Sequence, residues 1–165
     1  MTGLLPGFPG PSAAGAGARA PAAGTPGTGT DAPAASRIDL PAVVAEVRAV
    51  FDRYEVALCD GDVAILTELF WADPRCVRYG VADRQHGAEE IAAWRRANPG
   101  VPPGRVLSGT VVLATGASSA VVSTLFTYPD GATEGRQTQV WVRFPELDGH
   151  GGWRIVAAHV SEVPR

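Results

Sequence analysis

Hydrophobic positions along this chain change period partway through. Leu40, Val43, Val44, Val47, Val50, Phe51, Tyr54 and Leu58 recur at three- and four-residue intervals. That spacing lays one apolar stripe along a helix predicted to start at an Asp39 N-cap, with Pro41 in its first turn, and to end near Cys59. Gly61 breaks it, and Asp62 can cap a short second helix through Phe70 that carries Ile65, Leu66 and Leu69. Over residues 75–80 the period drops to two: Arg75, Val77 and Tyr79 face one way, and Cys76, Arg78 and Gly80 the other. A polar connection leads to a third helix over residues 88–98, with Ile91 and Trp94 on its apolar side and Arg95 and Arg96 directed elsewhere. Asn98-Pro99-Gly100 ends it, because the residue before proline is pushed out of helical geometry. Strands are predicted over residues 105–114, 120–128, 134–144 and 153–163, with turns at 115–119 and at Pro129-Asp130-Gly131. Helices followed by an antiparallel meander predict an α+β domain, with the helices packed on one face of a curved sheet.

Composition narrows this further. A chain of 165 residues with 45% apolar content can bury one ordinary core. Residues 1–37 are dominated by Gly, Pro, Ala and Thr, so a disordered tail is expected ahead of a domain spanning 38–165. The tail lacks the basic start and continuous apolar run of a secretory signal. Net charge is −3 and all fourteen basic residues are arginine. A nucleic-acid surface needs a clustered basic excess, so no nucleic-acid partner is expected, and lysine Schiff-base chemistry is excluded. No stretch approaches the length of a membrane span. Cys59 and Cys76 belong to no paired motif and read as reduced thiols in a cytoplasmic protein.

The candidate chemistry follows from the faces. Arg78 shares its strand face with small Cys76 and Gly80, so if that face looks inward the guanidinium enters open space and needs a carboxylate from the protein or from a ligand. Tyr54 lies on the apolar stripe of the first helix, either as a core tyrosine or as a phenol aimed into a cavity. On the strand over residues 134–144, Gln137, Gln139, Trp141 and Arg143 share a face, a mixture suited to fixing a polar ligand. In the last strand Trp153, Ile155, Ala157, His159 and Ser161 share a face, which makes His159 the histidine expected to be enclosed. His150, in a glycine loop, is expected in solvent. His86, just before Gly87, is either a structural contact or a pocket rim. No metal-ligand spacing, nucleophile elbow or phosphate loop is present, and no metal or cofactor is expected.

Tyr54-Glu55-Val56-Ala57-Leu58, Leu69-Phe70-Trp71, Val77-Arg78-Tyr79-Gly80, His86-Gly87, Trp94-Arg95, the run from Gly135 through Gln137 and Gln139 to Trp141, and Ala157-Ala158-His159-Val160-Ser161 together resemble the AtzH/HpxZ-like family. This is a branch of the nuclear transport factor 2-like, or SnoaL-like, fold, and the resemblance spans about residues 38–164. It implies three helices closing a cone-shaped antiparallel sheet around a ligand pocket, and a homodimer. It also implies cofactor-independent decarboxylation of an N-carboxylated urea such as 1,3-dicarboxyurea, or a role beside oxalurate and purine-ureide catabolism. By the same resemblance Tyr54 and Arg78 fall on the catalytic positions. A small carboxylated ureide would meet His86, Trp94, Gln137, Gln139, Trp141 and His159. Two positions depart from the family pattern: the acidic residue after the first strand appears as Asp83-Arg84, and Trp94-Arg95 replaces phenylalanine-arginine. The rival readings are a non-catalytic ligand-binding or dimerisation module of the same fold, and an isomerase using Asp83 as its base.

Overall fold

The structure, a computed structural model, describes residues 37–129 and 131–165. Residues 1–36 of the expected 1–37 tail, and the Asp130 of the expected hairpin turn, lie outside them. The first helix, α1 (Pro41–Asp60), carries Val43, Val47, Val50, Phe51, Tyr54 and Leu58 buried along one side, as their spacing requires. Gly61 closes it in the left-handed conformation (φ 70°), which glycine adopts without steric cost. Asp39 is not the cap expected of it. Its backbone N–H donates to the Ala114 carbonyl, and its carboxylate accepts from the Ala114 N–H, each at 2.9 Å. These two bonds satisfy strand-edge groups that would otherwise be unpaired, and they outcompete the cap. Leu40 occupies the N-cap instead, with no side-chain bond. The second helix, α2 (Val63–Leu69), starts as expected, with Asp62 accepting from the Ile65 N–H at 3.0 Å. The third is α3 (Ala88–Ala97).

Six strands form one sheet: β1 (Val77–Tyr79), β2 (Arg84–His86), β3 (Val106–Thr115), β4 (Ser119–Thr127), β5 (Thr133–Arg143) and β6 (Trp153–Pro164). Their spatial order is β2-β1-β6-β5-β4-β3. The long meander is antiparallel as expected, but β1 lies parallel to β6, which the chain reaches only after passing through β2, α3 and the strands β3 to β5. The short β2 falls where a plain connection was expected. Three polar residues carry no readable period, and their pairing with β1 is decided by tertiary context.

The helices cover one face of the sheet. Phe51, Leu66, Leu69 and Ile91 from the helices meet Val122, Trp141, Trp153 and Ile155 from the strands, all essentially without exposure. Each of these side chains contributes roughly 2 kcal/mol through its burial. Two irregularities shape the sheet. Gly109 and Thr110 stand opposite one residue of β4, with Gly109 at φ 61°. In β6, Val156 is an extra residue between Ile155, opposite Trp141, and Ala157, opposite Val140. Such a bulge reverses which side chains face inward beyond it. Ala158, Val160 and Glu162 therefore turn toward the helices, and His159 turns away, against the enclosed position expected of it.

Candidate functional site

A cavity of about 440 Å³ opens between α1, α3, the loop carrying Gly100, Val101 and Pro102, and the inner face of the sheet. Tyr54 from α1 and Trp94 and Arg95 from α3 line one end, together with Arg78 from β1 and Asp83 from the turn after it. Arg105, Phe126, Tyr128, Thr133, Gln137 and Glu162 line the other.

Arg78 points inward as its alternation with small neighbours requires, and its side chain is almost fully buried. The protein supplies the carboxylate it needs. Nη1 donates to Asp83 Oδ1 at 2.5 Å and to Gln85 Oε1 at 2.7 Å, while Gln85 Nε2 donates to the same Asp83 oxygen at 3.0 Å. Gly80 makes this arrangement possible, because a Cβ there would overlap the Asp83 carboxylate. The Arg78 guanidinium also stacks on Trp94, 3.7 Å from the ring centroid. Burial, followed by the charge of Arg95, holds the Arg78 pKa below its ordinary value.

Arg95 is the larger departure from expectation. It was expected to point away from the apolar side, yet only 2% of it is exposed. It follows Ile91 by four residues, which puts both on the inner face of α3. Its Nη2 donates to the Tyr54 hydroxyl oxygen at 2.9 Å, and its Nε, also buried, has no hydrogen-bond partner. Among the described residues no carboxylate pairs with it. With its oxygen accepting from Arg95, the Tyr54 hydroxyl is free to donate its own hydrogen into the cavity.

At the other end, Arg105 donates from Nε to Glu55 and from Nη2 to Gln137, each at 3.0 Å, and lies 3.6 Å over the Phe126 ring. Gln137 Nε2 returns a bond to Glu55 at 2.6 Å, so this ion pair is internally satisfied. Tyr128, pushed above its ordinary pKa chiefly by burial, keeps its proton at neutral pH.

The expected site residues separate into three groups. Tyr54, Arg78, Trp94 and Gln137 line the cavity. Gln139 and Trp141 do not: both are buried in the core below it, where the indole N–H donates to the Gln139 oxygen at 3.2 Å. His86 and His159 lie on the outer face of the sheet beside Tyr79, whose ring centroid is 5.7 Å and 6.3 Å from theirs. His150, expected in solvent, has a side chain only 2% exposed. Arg95, Arg105, Glu55 and Glu162 were not anticipated as part of the site. The first could have been found from its i+4 spacing to Ile91, and Glu55 from its i+4 spacing to Phe51.

Three helices over a curved, unclosed six-stranded sheet with a charged cavity between them define an NTF2-like α+β protein. An NTF2-like protein from Pseudomonas putida KT2440, 20% identical with a TM-score of 0.60 over 73% of this chain and 87% of its own, shares that fold. The AtzH-like family model matches residues 36–165, and the chain belongs to that family. A cystatin-like fold protein from Burkholderia xenovorans LB400 is 45% identical, with a TM-score of 0.72 over 78% of this chain and 97% of its own. A DUF3225-family protein of unknown function from Pectobacterium atrosepticum SCRI1043 is 46% identical, with a TM-score of 0.72 over 78% and 96%. No curated protein matches the chain.

Proposed function

We propose that the cavity binds a small N-carboxylated urea and releases its carboxylate as carbon dioxide. The observation that carries this reading is Arg95, a buried guanidinium with no carboxylate of its own, held against the Tyr54 hydroxyl. An unpaired charge out of water is expensive, and a ligand carboxylate that meets it relieves that cost.

In this reading Arg95, with the remaining donors of Arg78, fixes the ligand at its carboxylate end, and the Trp94 face bounds its plane. The bond between the carboxylate carbon and nitrogen then breaks. Its electron pair goes to the urea nitrogen, carbon dioxide leaves, and one proton is taken up at that nitrogen. Charge that develops on the urea nitrogen and oxygen is met by the Tyr54 hydroxyl, which donates a hydrogen bond or its proton and recovers it from solvent. The step exchanges no electrons with an outside group. Family membership supports the reaction class, and the burial of Tyr54 and Arg78 around one cavity supports their roles.

The test is carbon dioxide release from freshly generated N-carboxylated ureas. Wild type is expected to accelerate release. Tyr54→Phe is expected to lower kcat by roughly a hundredfold, and Arg78→Ala to lower kcat/KM by at least as much. No acceleration with any such urea would leave a module that binds carboxylates without turning them over.

A further inference from the structure

Two of the cavity's arginines sit in assemblies of the same make. Arg78 donates to Asp83 and to the Gln85 carbonyl oxygen, and the Gln85 amide returns a bond to Asp83. Arg105, beside Tyr128 and Glu162 at the other end, donates to Glu55 and to Gln137, and the Gln137 amide returns a bond to Glu55. An aromatic ring backs each guanidinium, Trp94 at 3.7 Å and Phe126 at 3.6 Å. The two carboxylates are placed differently. Glu55 is buried and does not line the cavity, and both of its oxygens accept hydrogen bonds. Asp83 lies in the cavity lining with its side chain 32% exposed, and among the described residues only its Oδ1 accepts from side chains.

The hairpin of β1 and β2 puts it there. Arg78 and Gln85 are cross-strand partners, both buried, and the Gly80 N–H donates to the Asp83 carbonyl at 2.8 Å across the turn between the strands. We propose that Asp83 is a positioning residue: its carboxylate occupies the place at Arg78 Nη1 that a ligand carboxylate would otherwise take, and so directs the ligand to Arg95 beside Tyr54. The inference rests on the carboxylate-binding role of Arg95 given above. Arg78 and Arg95 both lie against the Trp94 ring, at 3.7 Å and 5.1 Å, and compete for the same anion. With Asp83 in place Arg78 is compensated and Arg95 is not, so the ligand's charge-assisted pair forms at Arg95, the arginine that touches the Tyr54 hydroxyl. Without Asp83, Arg78 becomes a second unpaired buried charge, and the vacated volume is continuous with the cavity. A ligand anchored there gains ground-state binding at a guanidinium that does not contact Tyr54, and binding of that kind does not lower the barrier.

A binding cycle reads this without turnover. Ureidoacetate, a carboxylate joined to a urea with no labile N-carboxylate, is titrated calorimetrically into wild type, Arg95→Gln, Asp83→Ala and the double variant. Arg95→Gln is expected to weaken binding about tenfold or more in wild type, but less than about threefold in the Asp83→Ala background. Asp83→Ala alone is expected to tighten binding. Equal losses in the two backgrounds, or no tightening in Asp83→Ala, overturn the role of Asp83 and leave it a structural counter-ion. Arg95→Gln without effect in wild type overturns the carboxylate-binding role of Arg95 instead. With an N-carboxylated urea as substrate, Asp83→Ala is expected to lower KM and kcat together, a split that loss of structure alone does not produce. A lowered KM with kcat intact overturns the positioning role. A wild type that turns over no such urea sinks the proposed reaction, and the binding cycle still decides Asp83. Asp83→Asn keeps the oxygen acceptor and removes the charge. It is expected to shift binding in the same direction by less, and it takes the place of Asp83→Ala if the melting curve shows that variant unfolded.

Discussion

Two arginines of the cavity differ in what the protein gives them, and the difference decides their roles. Arg78 has an aspartate, a glutamine and an aromatic face, so its charge is compensated before any ligand arrives. Arg95 has a phenol and an empty Nε. Replacing a buried unpaired charge with an apolar side chain of similar length is commonly neutral or stabilising. Arg95→Met is therefore expected to raise the free energy of unfolding by about 1–3 kcal/mol in urea titrations while abolishing carboxylate binding. A stability loss of similar size would instead make Arg95 a structural residue. Arg78→Met is expected to destabilise, because it leaves Asp83 and Gln85 without their shared donor. Tyr54→Phe removes only an acceptor for Arg95 and a donor to the cavity. Its effect should appear in kcat, with stability lowered by about 1–3 kcal/mol, because the buried Arg95 Nη2 loses its hydrogen-bond acceptor.

At the scale of elements, the helices and most strands were legible because their periods are long and clean. The apolar stripe of α1 and the alternation around Arg78 both identify inward faces correctly. What was not legible depends on one extra residue. A single-residue bulge at Val156 has no compositional signature, yet it exchanges His159 for Glu162 as the group facing the cavity. Tertiary context also hid β2, whose three polar residues pair with β1 beside the Arg78–Asp83–Gln85 cluster. A glycine shows how tightly elements and site are coupled. Gly135 faces Phe126 across the β4–β5 pair, and a Cβ there would overlap the phenyl ring that carries Arg105. Gly135→Ala is expected to cost about 1–3 kcal/mol in denaturant unfolding through overpacking. It should also weaken ligand binding by displacing Arg105 from Glu55 and Gln137. Unchanged stability would mean that the ring moves aside freely.

For the molecule as a whole, the histidine that governs acid stability is expected to be His150, away from the cavity. It lies in the connection between β5 and β6 at φ 52°, with its side chain 2% exposed and its Nε2 3.2 Å from the Glu68 carboxylate without hydrogen-bond alignment. Burial lowers its pKa from the ordinary histidine value. Glu68 opposes the shift, and the charges of Arg53 and Arg154 add to it. The folded protein therefore binds a proton here less readily than the unfolded chain does. The stability that depends on a neutral His150 is fully present above the unfolded value of about 6.5, and it is lost as pH falls from there through the lower folded value. Glu68 is on α2 and His150 is next to β6, so the titrating group sits at the junction between the helical layer and the sheet, where its desolvation disfavours the charged form. Thermal melts at pH 7.5 and 5.5 are expected to show a drop in Tm that is smaller in His150→Gln. Because the substitution leaves every other titrating group in place, the difference between the two slopes isolates this one residue, and equal slopes would refute its role.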